Sequence, residues 1–175
     1  MIAVLQRVRK ASVTVRDQSV STIGRGLLVL LGIASDDSDQ DETFLIDKML
    51  HLRIFSDGDG KMNRSLLDIQ GELLLVSQFT LLANIRKGRR PSFESAASPE
   101  VARARYHRIL ACLREKHIPV QGGSFGEHML VSLENDGPVT IIINSRESNL
   151  GRVKEPDTLT DKGMNDQKDL AWESQ

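Results

Sequence analysis

The 175-residue chain holds one cysteine, one tryptophan, one tyrosine and five prolines. A single cysteine, Cys112, rules out an internal disulfide framework and a cysteine-rich zinc site. It sits in ILACLREK, inside a helical pattern, and reads as a small buried hydrophobe. Net charge is −1, so no overall basic character calls for nucleic acid, although a local patch remains open. The opening MIAVLQRVRKASV turns polar after five residues and charged at Arg7, and reads as neither a signal peptide nor a spanning helix. A reducing cytoplasm is the expected location.

Recognised catalytic patterns are also missing. There is no HExxH, no GxSxG and no GxxxxGK. The GRG at 24–26 precedes a strand rather than a helix and reads as a turn. Metal-ligand spacing is lacking too. His51 and His107 fall in helical patterns beside charged neighbours and read as solvated or partly packed. SDGDGKMN (56–63) looks like a calcium loop at Asp57 and Asp59, but lacks the other ligands and the closing glutamate. These absences argue against a metalloenzyme, a nucleotide-triphosphatase or a dinucleotide enzyme, so the residues call for no metal or cofactor.

What is present fits one α/β domain. The chain is 39% hydrophobic and 27% charged, enough to bury a single core. IAVLQRVRKASVTV is rich in β-branched residues and reads as one or two strands. Residues 19–35 hold a second strand pair, with 27–31 apolar on both sides and so covered on two faces. DDSDQDETFLIDKMLHLRIF predicts an acid-capped helix with Phe44, Leu45, Met49 and Leu52 inward. GELLLVSQFTLLA is the most apolar strand. SPEVARARYHRILACLREKH predicts a second helix, capped by Ser98 with Pro99 first, and Val101, Tyr106, Ile109, Leu110 and Leu113 as its apolar stripe. At least two strands close the domain. The order ββ-βα-βα-βββ suggests helices on one side of a mixed, barrel-like sheet.

The domain is expected to span 1–145. The remainder, 146–175, has few apolar residues and no period, and 151–175 carries six acids against four bases. It reads as a loosely packed or disordered tail, with Trp172 able to dock.

Three stretches could carry chemistry. SQFTL places Ser77, Gln78, Phe79 and Thr80 at the end of a buried strand, either as a polar strand end or at the edge of a site. Thr80 could be a nucleophile, but a free hydroxyl is weak without a placed base. RKGRRPSF puts Arg86, Lys87, Arg89 and Arg90 on one loop, a footprint for phosphates or a solvated charged loop. NDGPVT (135–140) carries more turn signal than one reversal needs. It is either an ordinary turn or a cis Gly-Pro, an isomer costing only about 0.5–1 kcal/mol before proline. A cis bond would aim two successive carbonyl oxygens the same way, as a polar and steric gate.

Together these stretches resemble the D-aminoacyl-tRNA deacylase family. The matching pieces are QRV with Arg7, IGRGLLVLLGI, RIFSDGDGKMN, SQFTL, RRPSF and GSFGEHMLVSLENDGPVT, in order, over residues 1–145. The resemblance implies a cytoplasmic homodimer that hydrolyses the ester joining a D-amino acid, or mischarged glycine, to the 3′-terminal adenosine of tRNA. It implies that Ser77, Gln78, Phe79 and Thr80 floor the pocket. Gly137 and Pro138 would enter the partner's pocket, braced by Arg7. Phe125 and Met129 would line the adenosine site, and Pro91 and Phe93 would shape its entrance. A non-catalytic dimer associated with RNA or DNA is the competing reading. A general small-ester hydrolase is a third, disfavoured because nothing resembles a conventional serine hydrolase.

Overall fold

The computed structural model describes residues 1–86 and 88–147. Lys87 and most of the expected tail, Trp172 included, lie outside the described residues.

The β-branched N-terminal segment forms one long strand, β1 (Ile2–Val15), followed by β2 (Gln18–Ile23) and β3 (Gly26–Gly32). Helix α1 (Asp39–His51) leads to a small hairpin of β4 (Phe55–Ser56) and β5 (Met62–Arg64). Then come β6 (Glu72–Ser77), a 3-10 turn (Phe79–Leu82), α2 (Pro99–Arg114), β7 (Val120–Gly122) and β8 (Leu130–Asn144). The main sheet runs β2-β1-β3-β6-β7, with β8 also paired to β1. The β3–β6 and β6–β7 pairs are parallel, and the others in this sheet are antiparallel. The two ends of the sheet meet where the Ser21 hydroxyl donates to the Gly122 carbonyl at 2.5 Å. The mixed, barrel-like sheet with two helices expected from the sequence is the architecture found.

Strand alternation divides the interior in two. Leu27, Val29, Leu31, Leu73 and Leu75 face the core shared with the helices. Leu28, Leu74 and Val76 point the other way, against Val8, Val13 and Ile23 inside the barrel. Each helix adds its stripe to the first core: Leu45, Met49 and Leu50 from α1, and Tyr106, Ile109, Leu110 and Leu113 from α2. Val101 departs from the expected stripe. It is 47% exposed, because it stands about 140° round the helix from Tyr106, on the side of Arg105 and Arg108. Phe44 and Leu52 are only partly buried, and Cys112 is intermediate rather than fully buried. Asp57 spends its carboxylate on the N–H groups of Asp59 and Lys61 and on the Asn63 amide.

The chain does not reverse at NDGPVT, so residues 130–144 hold no ordinary turn between two strands. They form one strand running antiparallel along the whole of β1. Pairing stops at Val8↔Asn135 and resumes at Gln6↔Thr140, so residues 136–139 loop out opposite the single residue Arg7. This is an enlarged bulge, the usual device for turning a strand segment away from its ladder.

Candidate active site

Parallel strands β3 and β6 end side by side, with Leu31 opposite Ser77. The crevice beyond the carboxyl ends of parallel strands is where α/β folds commonly hold ligands. Here the chain turns at once: the Gln78 N–H donates to the Leu31 carbonyl at 2.7 Å, and the 3-10 turn follows. In that turn the first N–H bonded within it is that of Leu81, to the Gln78 carbonyl at 3.2 Å. The amides of Phe79 and Thr80 therefore precede the turn's own hydrogen bonds.

A cavity of about 360 Å³ opens at this point, lined by Ser77, Gln78 and Phe79 on one side. The segment leading to α2 forms a second wall. Ala97 donates its N–H to the Ile33 carbonyl at 3.0 Å, which brings Ala96, Ala97, Pro99 and Ala102 to the rim. Phe93 packs edge-on against Phe79 with ring centroids 5.0 Å apart. Phe125 and Gly126, from the β7–β8 loop, close the third side. Phe125 rests on Tyr106 at 5.6 Å. The Tyr106 hydroxyl donates to the Leu75 carbonyl at 2.8 Å and is also 3.3 Å from that of Gly123. Burial pushes the Tyr106 phenol up to about 12, so it remains a hydrogen-bond donor.

Of the residues singled out from sequence, Ser77, Gln78, Phe79, Phe93 and Phe125 line one cavity. Thr80 is exposed beside it, and its hydroxyl accepts from the Gln78 amide at 2.5 Å. Pro91 is exposed on the loop before Phe93. Met129 is half-buried against the barrel core and lies under Gly123, where an added Cβ would come within 2.9 Å of its sulfur. Arg86, Arg89 and Arg90 are exposed and make no ion pair among the described residues. Leu31, Ile33, Ala96, Ala97 and Ala102 also line the cavity and had not been singled out. Their only sequence mark was position: the end of an all-apolar strand, and small residues just before and inside a capped helix.

Arg7, Gly137 and Pro138 are not in this wall. They form a separate feature at the bulge in β8. The Gly137–Pro138 bond is cis, and both residues are exposed. Gly137 has φ +138°, and a Cβ there would approach Arg7 Nη2 to 2.9 Å, so the position admits only glycine. Arg7 Nε donates to the Asp136 carbonyl at 2.8 Å and Nη1 to the Ile54 carbonyl at 2.5 Å. Its guanidinium is also 3.7 Å from the Asp136 carboxylate. Asn135 spans the base of the loop. Its side-chain oxygen accepts the Val139 N–H at 2.7 Å, and its amide donates to the Thr140 hydroxyl at 3.1 Å.

Comparison with known proteins agrees with this geometry. Residues 4–144 match the family model of D-Tyr-tRNA(Tyr) deacylase. The chain is 55% identical to a D-aminoacyl-tRNA deacylase of Chloroflexus aurantiacus over 87% of its length and 95% of the relative's. It is 50% identical to one of Thermosipho africanus over 84% of this chain and 99% of that one. A solved structure of a c-Myc DNA unwinding element binding protein superimposes with a TM-score of 0.78 at 44% identity, covering 82% of this chain and 98% of that one. With the family model spanning the barrel and both helices, and relatives matching at half or more of their positions, the chain belongs to the D-Tyr-tRNA(Tyr) deacylase family, enzymes that deacylate D-aminoacyl-tRNA.

Proposed function

We propose that this chain clears D-amino acids, and mischarged glycine, from tRNA in the cytoplasm, working as a homodimer whose sites are completed across the interface. The observation that carries the chemistry is the lining of the cavity. Its walls are apolar and aromatic, and no carboxylate, imidazole, thiol or amine is among the described residues that line it. Phe79, Phe93 and Phe125 suit a nucleoside, while Ser77 and Gln78 supply the few polar groups that orient it. Pro91 shapes the entrance, and Met129 supports the adenosine side from below.

With no base in the wall, Thr80 is a poor nucleophile. Its hydroxyl is already engaged by Gln78. The favoured route uses water. The free hydroxyl of the terminal ribose relays a proton, accepting one from the attacking water while passing its own to the neighbouring ester oxygen that will leave. The N–H groups of Phe79 and Thr80 steady the oxyanion. The ester C–O bond then breaks, the ribose oxygen leaves with a proton, and the amino acid departs as a free acid.

Chirality is set by exclusion. Gly137 and Pro138 of one subunit enter the pocket of the other, and their main-chain oxygens hold the substrate amino group. They occupy the space an L side chain needs, while a D side chain points outward. Glycine has nothing to exclude and is cleaved. The support is the pairing of an open pocket with a braced, exposed loop that does not line the pocket of its own chain. Arg86, Lys87, Arg89 and Arg90 supply a modest phosphate grip.

The Thr80→Ala variant tests the route. Deacylation of D-aminoacyl-tRNA is expected to stay near the wild-type rate. A fall on the order of 10⁴-fold with intact tRNA binding would make Thr80 the nucleophile. A non-catalytic role on nucleic acid is the second reading, favoured by the name of the structural relative. Comparing release from D- and L-aminoacyl-tRNA decides between them: equal, background release from both would leave only the binding role.

A further inference from the structure

One charged side chain at the cavity rim has no part in the chemistry above. Arg103 lies one turn into α2, next to Ala102, which lines the cavity. Its guanidinium carbon sits 4.9 Å from the centroid of the Phe125 ring. On the neighbouring Gly126, with φ +84°, an added Cβ would lie 3.5 Å from Arg103 Nη2. The guanidinium therefore rests on the aromatic wall and over the loop that closes the pocket. Phe125 is fixed from the other side by Tyr106.

Arg103 makes no ion pair among the described residues, unlike Arg105 and Arg108 on the same helix, which both pair with Asp39 and Glu42. Glu100, one turn earlier, feels its charge, but that carboxylate is engaged first by its own backbone N–H and by Ser98. A guanidinium stacked on a ring keeps its outward N–H groups free and aimed, the arrangement that suits a phosphate.

We propose that Arg103 binds the 5′-phosphate of the substrate's terminal nucleotide and so positions the ester in the pocket. This rests on the deacylase reading above. A nucleoside seated between Phe79, Phe93 and Phe125 must leave the pocket through its 5′ oxygen, and among the described residues Arg103 is the cation in contact with the pocket's aromatic wall. The role differs from that proposed for Arg86, Lys87, Arg89 and Arg90, a grip on phosphates further along the strand; among the described residues, none of Arg86, Arg89 and Arg90 is within reach of the Phe125 ring.

The test uses two small substrates, D-aminoacyl-adenosine and its 5′-monophosphate. The wild-type protein should deacylate the phosphorylated ester about 10- to 100-fold better in kcat/KM, with the gain in KM, the scale of a charge-assisted contact. Arg103→Gln keeps a side chain over Phe125 and should erase that preference, bringing the two esters to nearly equal kcat/KM. Arg103→Lys should restore part of it. Neutralising Arg86, Arg89 and Arg90 should weaken full-length tRNA while leaving the preference intact.

Equal rates on the two esters in the wild type, which needs no variant to fold, would overturn the inference. So would an undiminished preference in Arg103→Gln. Both results leave the deacylase reading standing. Failure of the wild type to release D-amino acid from tRNA would overturn that reading, and the inference with it.

Discussion

Around the cavity, side chains supply the shape and the backbone is left open: Leu31, Ile33, Ala97 and Phe125 make the walls, and the amides of Phe79 and Thr80 precede the turn's own bonds. At residues 135–140 the assignment is reversed. There the side chains of Arg7 and Asn135 are spent holding backbone, while Gly137 and Pro138 are exposed. The first arrangement accepts a ligand by fit and is tuned by many small contributions. The second fixes the position of a few main-chain atoms and depends on two residues. On the proposed function the loop acts through its main chain, so substitutions elsewhere cannot easily change its chemistry. They can only release it, and Arg7 and Asn135 are where release is possible.

Arg7→Ala should have the largest effect. Only 11% of the side chain is exposed, and it satisfies two carbonyls, of Asp136 and Ile54. Hydrogen bonds to a charged group are worth about 1.5–3 kcal/mol each, and stranded buried acceptors add to the loss. Stability should fall by about 2–4 kcal/mol in denaturant titration. Hydrolysis of L-aminoacyl-tRNA should rise relative to D. Arg7→Lys should rescue little, since a single ammonium cannot reproduce the fork to two separate carbonyls. Unchanged discrimination in a folded Arg7→Ala protein would break the comparison, because the loop would then not need its brace.

The two regions also differed in how far the sequence revealed them. A Gly-Pro pair set among strand formers marked the loop plainly, and Arg7 was tied to it through the family resemblance. Asn135 was not picked out. Its role exists only because residues 136–139 loop out of a continuous strand, which brings Val139 back over Asn135. Local turn propensity cannot show that register, because β1, far away in sequence, sets it. At the cavity, Ser77 to Phe79 stood out as polar and aromatic residues ending an apolar strand. Ile33, Ala96 and Ala97 did not. Their side chains carry no chemistry, and small apolar residues look alike in a core and in a pocket wall. Val101 failed for a different reason: five residues before Tyr106, it lies about 140° round the helix from it, on the face of Arg105 and Arg108.

Asn135→Ala tests the same contrast at lower cost to the fold. It removes the acceptor for the Val139 N–H and the donor to Thr140, leaving Arg7 in place. The expected loss is about 1–2 kcal/mol, from one half-buried N–H without a partner. Discrimination against L-aminoacyl-tRNA should weaken less than in Arg7→Ala. KM for D-aminoacyl-tRNA should change little, since the pocket walls are untouched. A larger loss of discrimination than Arg7→Ala gives would move the main brace from the guanidinium to the amide.

Both variants lower stability as well as perturb the loop, so a site remote from both regions must separate the two effects. Asp41, in the first turn of α1, provides one: its partners, Ser38, Ser145 and the Met1 ammonium, belong to neither region. Its carboxylate accepts the Ser38 N–H at 2.8 Å and the Ser38 hydroxyl at 2.6 Å, closing a capping box. Partial burial alone would raise its pKa. The Ser145 and Ser38 hydroxyls, the Ser38 N–H and the Met1 ammonium outweigh that and hold it down, from 3.8 to about 2. A depressed carboxylate contributes stability above its unfolded pKa and loses it as pH falls through the folded one. Asp41→Ala should therefore cost about 1 kcal/mol near neutral pH, the usual worth of a helix cap. That cost should shrink as pH falls from 3.8 toward about 2, followed by thermal unfolding of both proteins. Neither the ratio of D to L hydrolysis nor KM should move. If Asp41→Ala shifts that ratio as much as Asn135→Ala does, the loop's discrimination follows global stability rather than its own braces.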